Sequence, residues 1–291
     1  MTIDRTDFSL ENKLMIYDGN CYLCRSGAYL SKQFGRLTEA NMSTYDDLKE
    51  DLRLEIDFSR FRNEMALIDV KTRTVKYGLE GVLYVMATRF RVFGHIKVNS
   101  LLFNILNFFY KAIAYNRYIL FPNDGIKLCS CSPPLQKQSR ISFIILMVIP
   151  SILILFLAND VSIKFAGAEN QHLLNSSITC WTFLLLLQAM CCFVFLKNDE
   201  RYDYLGNLSV IMICGSVFFI PFVILTSLLE DFYIVPYIFI FLYSIYTMAR
   251  MQAKRKMLPQ IGRTWTLMLF MLTPIFSIII LNLLRIEKWL S

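Results

Sequence analysis

Histidine is almost missing from this sequence: His95 and His172 are the only two in 291 residues. A di-histidine ligand set for haem or copper has no residues to build it. Ionisable residues are missing from the middles of the long apolar runs, so no intramembrane proton or ion path can be read there. The start, Met1 to Lys13, is polar and lacks the apolar core of a cleavable leader. The N-terminal half is therefore expected to be made and kept in the cytoplasm. The first half also lacks a basic stripe with interleaved aromatics, so no nucleic-acid partner is expected. An outer-face cysteine pair of the quinone-reducing kind is absent as well.

What is present divides in two. Apolar types make up 55% of the chain, aromatics 14% and charged residues 18%, with a net charge of +7, and the mean hydropathy is +0.45. Such apolarity fits so many charges only if the charges are segregated. Residues 1–140 alternate polar and apolar, and residues 141–291 hold long apolar runs between short charged loops. The expected division is an α/β domain over 1–135 and an all-α transmembrane domain of about five helices over 136–291. A span needs about 20 mainly apolar residues. The expected spans are Ile141 to Ala158, Ile178 to Leu196, Leu205 to Leu229, Tyr233 to Ala249 and Trp265 to Leu284. The fourth is short and carries Pro236.

Orientation follows from the loops. Lys137 and Arg140 precede the first span, Lys197 and Arg201 follow the second, and Arg250, Lys254, Arg255, Lys256 and Arg263 crowd the loop before the fifth. The other side carries only Lys164 among mostly acidic residues. This is the positive-inside pattern, and it places the N-terminal domain in the cytoplasm. The polar span residues, such as Gln188, Asn207, Ser216 and Ser244, read as helix-to-helix contacts. The membrane half thus reads as an anchor or an interaction platform, with the lipid bilayer and a membrane protein as its expected partners.

In the first half, Lys13 to Tyr17 reads as a short strand and Asp18-Gly19-Asn20 as a turn. Cys21 to Phe34 has helical spacing, with Leu23, Ala28, Leu30 and Phe34 as expected buried positions and Gly35 as its stop. Met42 to Tyr45 reads as a second strand, and Asp46 to Ile56 as a weakly helical stretch. Met65 to Val70 and Thr74 to Tyr77 read as a hairpin. Leu79 to Phe90 reads as a helix ended by Gly94, and Val98 to Tyr118 as another. The apolar stretch Leu101 to Tyr110 within it exceeds one amphipathic stripe, so it is expected in the core or on the bilayer surface. Strand, helix, strand, then hairpin and helix is the order of a thioredoxin-like unit.

The chain has eight cysteines. In a cytoplasmic setting these are expected to be reduced thiols or redox-active ones. Cys180, Cys191, Cys192 and Cys214 fall within apolar spans and read as small hydrophobes. Cys21 and Cys24 sit where a strand passes through a turn into a helix. There, unpaired backbone N–H groups and the helix dipole favour thiolate, the nucleophilic form. Cys24 lies one turn deeper on the same face and can release a mixed disulfide. Cys21 is therefore expected to attack and Cys24 to resolve. Asp18 precedes Cys21 by three residues and reads either as a carboxylate that relays a proton to a thiol or as a cap or turn aspartate. Arg25 either favours thiolate further or is solvated. No cofactor is expected.

Tyr17-Asp18-Gly19-Asn20-Cys21-Tyr22-Leu23-Cys24 resembles the opening motif of the DCC family (DUF393) of thiol-disulfide oxidoreductases, in which Asn20 replaces the usual aspartate. Ala114-Tyr115-Asn116-Arg117-Tyr118 with Phe121, followed by Cys129, resembles the closing segment and late cysteine of that family. Gly78-Leu79-Glu80-Gly81 resembles the point where its glycine-led helix follows the hairpin. The resemblance covers about residues 12–132. It implies a thioredoxin-like fold, a redox motif of Asp18, Cys21 and Cys24, a family position at Arg117, and a protein or small-thiol disulfide as substrate. Thioredoxins proper place a proline before a central strand opposite the cysteines. Here Arg62-Asn63-Glu64 precedes Met65 instead. Cys129 and Cys131 are read three ways: as a shuttle pair for Cys21 and Cys24, as partners with them in a four-cysteine zinc site, or as linker thiols. The expected function is a thiol-disulfide oxidoreductase tethered to a bacterial inner membrane, with a non-catalytic membrane-complex component and a structural zinc domain as alternatives.

Overall fold

The computed structural model describes residues 8–122, 133–230 and 234–255. The chain forms two compact units, Met1–Arg140 and Ile141–Ser291.

The first unit is built on a four-stranded mixed sheet in the order β2-β1-β3-β4. Strand β1 (Lys13–Tyr17) lies at its centre. It pairs in parallel with β2 (Met42–Thr44) and antiparallel with β3 (Ala66–Asp69), which in turn pairs antiparallel with β4 (Val75–Tyr77). The parallel pair needs a crossover, and helix α1 (Tyr22–Phe34) supplies it. Successive strand residues face opposite sides, and two cores result. Ile16, Ala66 and Ile68 pack with Leu48, Leu52, Ile56, Phe61 and Tyr77 on one side. Met15 and Leu67 pack with Leu37 and Val85 on the other. The short helices α2 (Glu50–Arg53) and α3 (Phe58–Phe61) carry Leu52 and Phe61 into the first core, and α4 (Leu79–Ala87) carries Val85 into the second.

Helix α1 packs by its smallest residues, which corrects the expected buried set. Cys24, Ala28 and Ser31 are buried, whereas Leu30 and Phe34 are about half exposed. The cause is close approach. A Cβ on Gly27 would lie 3.3 Å from Met65 Cε, and one on Gly35 would run into Val85 and lie 2.6 Å from the Ser31 carbonyl. At about 100° per residue, Leu30 and Phe34 lie roughly 130° and 90° round the helix from the centre of the buried arc of Cys24, Ala28, Ser31 and Gly35.

Two longer helices expected from the sequence are interrupted. Helix α4 stops at Ala87, where the Thr88 hydroxyl donates to the Val85 carbonyl at 2.7 Å and competes with the helical ladder. A 3-10 turn over Arg91–His95 follows. The next helix divides into α5 (Leu101–Ala114) and α6 (Arg117–Leu120). Ser100 caps α5 by accepting from the Phe103 amide at 3.2 Å. At the break, Asn116 leaves helical geometry and its Nδ2 donates to the Ala112 carbonyl at 2.7 Å.

The second unit is helical. Helix α7 runs Lys137–Phe195 and is followed by α8 (Asn198–Val217), α9 (Phe219–Leu229) and α10 (Ile234–Lys254). The loop expected between the first two spans is helix instead. No proline interrupts residues 159–177, and Gly167 is the only glycine there. A helix of 59 residues is about 90 Å long, roughly three times the hydrocarbon thickness. Among the described residues, Lys137–Phe165 and Asp199–Leu229 are long and apolar enough to cross a membrane. The expected span Trp265 to Leu284 lies outside the described residues. Small and polar residues join α8 to α10: the Ser244 hydroxyl donates to the Gly215 carbonyl at 2.9 Å, a contact typical of helices packed in lipid.

Candidate active site

The turn after β1 sets the site. Asp18 Oδ1 accepts from the Asn20 amide at 2.9 Å, and the Cys21 amide donates to the Asp18 carbonyl at 3.2 Å. This Asx-type turn delivers Cys21 as the N-cap of α1. Its backbone is extended (φ −94°, ψ 119°) and its side chain accepts from the Cys24 amide. The Cys24 N to Cys21 Sγ distance is 3.3 Å. A sulfur thus occupies the place where a serine or aspartate oxygen usually satisfies an orphan helix donor.

Both thiols are free and buried. Their environments drive them apart. The Cys24 thiol donates to the Cys21 sulfur, and this bond, with the Cys24 amide and the positive charge of Arg117, holds the Cys21 thiol down at about 7. Burial and the charge of Asp18 oppose the shift. The same thiol–thiol bond, and then burial, pushes the Cys24 thiol far up. Cys21 is therefore thiolate at neutral pH to a far greater extent than an unperturbed cysteine.

Asp18 is a buried hub. Its Oδ2 accepts from the Tyr118 hydroxyl at 2.8 Å and from Arg117 Nη2 at 3.3 Å. Both side chains of the Asp18–Arg117 ion pair are only 2% exposed. The break at Asn116 makes this possible, because α6 starts a new helix at Arg117 instead of continuing α5. Burial, then the bond to Asp18, raises the Tyr118 hydroxyl above its usual value, so it stays a donor. Of the two candidate cations, Arg117 acts on both sulfurs, while Arg25 is on the exposed side of α1. Cys129 and Cys131 lie outside the described residues.

The sequence shows that no proline precedes Met65, but the contacts of Met65, Glu64 and Tyr22 have no signal in it. Met65 stands at the entry to β3, where thioredoxins proper carry proline. Its carbonyl accepts from the Gly78 amide at 2.8 Å, and it rests against Gly27, one turn beyond Cys24. Among the described residues no peptide bond is cis. Glu64 is a second buried carboxylate, accepting from the Tyr115 hydroxyl at 2.8 Å with Lys111 Nζ at 4.0 Å. Tyr22, beside Cys21, packs against Phe121 with ring centroids 5.1 Å apart and the planes tilted by 45°, and both rings are exposed. Pairs such as Glu64–Tyr115 are joined only by the fold, so no spacing rule finds them. Among the described residues no group of three or more His, Cys, Asp or Glu is placed to hold a metal ion.

A sulfur nucleophile near neutral pKa, a protonated sulfur bonded to it and a cation acting on both are the parts that thiol-disulfide exchange needs. No curated protein and no solved structure gives a significant match to the chain. Residues 15–122, which hold every part of the site named above, match the family model of the DCC1-like thiol-disulfide oxidoreductases.

Proposed function

We propose that the chain is a membrane-tethered thiol-disulfide oxidoreductase whose N-terminal domain works in the cytoplasm. The observation that carries this reading is the Cys21–Cys24 contact at the start of α1, with Cys21 held near pKa 7.

The steps follow from the contact. The Cys21 thiolate attacks one sulfur of a substrate disulfide. That S–S bond breaks, a Cys21–substrate disulfide forms, and the departing thiolate takes a proton. The Cys21 sulfur is then no longer an anion, so the bond that kept Cys24 protonated is gone. Arg117, which draws the Cys24 thiol down, is left as the main charge acting on it. Cys24 loses its proton and attacks Cys21. The second substrate thiol leaves, and the domain carries a Cys21–Cys24 disulfide. Two electrons have passed to the substrate, and the reverse sequence oxidises a dithiol. Asp18 holds Arg117 in place and adjusts how readily both thiols ionise.

The anchoring rests on the apolar helices Lys137–Phe165 and Asp199–Leu229 and on the bases that flank them, read by the positive-inside rule.

The test is disulfide capture in native membranes. Cys21→Ser should abolish reduction of a disulfide probe, and Cys24→Ser should accumulate mixed disulfides that release on adding reductant. Equal activity of wild type and Cys21→Ser would remove the catalytic reading.

A further inference from the structure

The exposed face of helix α5 is apolar, the reverse of a helix on a soluble domain. Leu101, Leu102, Ile105, Phe108, Phe109 and Ile113 are each between 37% and 78% exposed. At 3.6 residues per turn they fall within an arc of about 140°. Phe103, on the other side of the helix, is buried. In the turn before α5, Val92 and Val98 are exposed as well, and Arg91 and Lys97 stand exposed beside them.

The charge around this face is of one sign. No aspartate or glutamate occurs between Glu80 and Asp124, while the exposed Arg89, Arg91 and Lys97 all fall in that stretch. Monomeric soluble domains rarely leave so continuous an apolar patch uncovered. A second copy of the chain is a poor cover. A two-fold contact sets the same patch against itself, and the stretch from Gly81 to Asn123 that carries the patch offers no carboxylate to meet the other copy's Arg91 and Lys97. An anionic leaflet satisfies both features. Leucine and phenylalanine enter the acyl boundary while lysine and arginine meet the headgroups.

We infer that α5 and the preceding turn form a bilayer-docking surface for anionic lipid, which holds the thiol site at the membrane rather than leaving the domain free on its tether. The inference rests on the reading that the second unit lies in a membrane, and the test separates the two.

The full chain is made with the photoreactive residue p-benzoylphenylalanine at position 102 or 109. It is reconstituted in vesicles of phosphatidylcholine, with or without phosphatidylglycerol. After irradiation, lipid adducts are counted by mass spectrometry of the labelled peptides. Position 156 in α7, 66% exposed, reports the spans; position 54, 84% exposed, reports the domain surface away from α5. Each variant must keep the wild-type Cys21 alkylation rate. The expected result is lipid capture at 102 and 109 as at 156, with little at 54. Arg91→Gln with Lys97→Gln should lower capture at 102 about ten-fold or more, and only when phosphatidylglycerol is present. Capture of peptide alone at 102 and 109, from this chain or a second copy, with lipid still captured at 156, would overturn the inference. Absence of lipid at 156 would overturn the membrane reading and the inference with it.

Discussion

Arg117 lies 99 residues after Asp18 in the chain, and its Nη2 stands 3.3 Å from Asp18 Oδ2. The two charges pull the nearby thiols in opposite directions: Arg117 lowers the Cys21 thiol and Asp18 raises it. Replacing each should therefore shift Cys21 with opposite sign. Arg117→Gln should raise the midpoint of Cys21 alkylation by about one pH unit, and Asp18→Asn should lower it. Both should destabilise the domain by about 3–5 kcal/mol, since each breaks a buried ion pair by removing one partner. Shifts of the same sign would show that the pair acts only through folding.

The wild-type profile is itself a prediction. Iodoacetamide reacts with thiolate, so the Cys21 rate, read at its own peptide, should climb with pH to a midpoint near 7. An unperturbed cysteine would give about 8.5. Cys24→Ala removes the thiol that donates to Cys21 and should move the midpoint upward. Cys24→Ser keeps an O–H donor and should move it less. If the Cys24→Ala midpoint stays near 7, the thiol–thiol bond is not what lowers Cys21.

Gly78 has φ +60°, and a Cβ there would collide with the Glu64 carboxylate and lie 3.0 Å from Tyr110 Cε1. Gly78→Ala should cost the domain about 1–3 kcal/mol. Gly27→Ala should cost far less, because its Cβ would meet only the flexible end of Met65 at 3.3 Å. Cys24 is buried, so its alkylation in rising denaturant reports unfolding. The midpoint should fall for Gly78→Ala and scarcely move for Gly27→Ala.

The sequence made legible what is local. The strand-turn-helix that delivers Cys21 is written in eight consecutive residues, and the structure has β1 over the expected Lys13–Tyr17. The hairpin and second strand stand within a residue of their expected bounds. Two kinds of feature stayed hidden. Contacts between distant segments leave no spacing signal: Arg117 is recognisable by family position, but its partner is known only once α6 folds against the turn. Small-residue packing misleads as well. Leu30 and Phe34 on α1 read as core by their apolarity, yet the small residues Cys24, Ala28, Ser31 and Gly35 form the arc that α1 buries. The break at Asn116 was invisible because asparagine is ordinary in a helix until its side chain bonds the Ala112 carbonyl.

On the proposed membrane reading, the sidedness of Glu230 separates two ways of threading the bilayer. Glu230 is exposed in left-handed conformation at the end of α9. If α7 opens between residues 158 and 178 in a bilayer, so that 141–158 and 178–196 cross separately, the start of α8 is cytoplasmic and Glu230 emerges outside. If α7 crosses once, through Lys137–Phe165, α8 begins outside and Glu230 returns to the cytoplasm. Lys197 and Arg201 flank the start of α8, and their charge favours the cytoplasm there. An impermeant maleimide should therefore label Glu230→Cys only in right-side-out vesicles. Leu54→Cys, on the catalytic domain and 84% exposed, should label only in inverted ones. Each is read at its own peptide, against the wild-type chain treated alike. Labelling of both in inverted vesicles would give α7 a single crossing. Labelling of Leu54→Cys in right-side-out vesicles would place the thiol site outside the cell and end the cytoplasmic assignment.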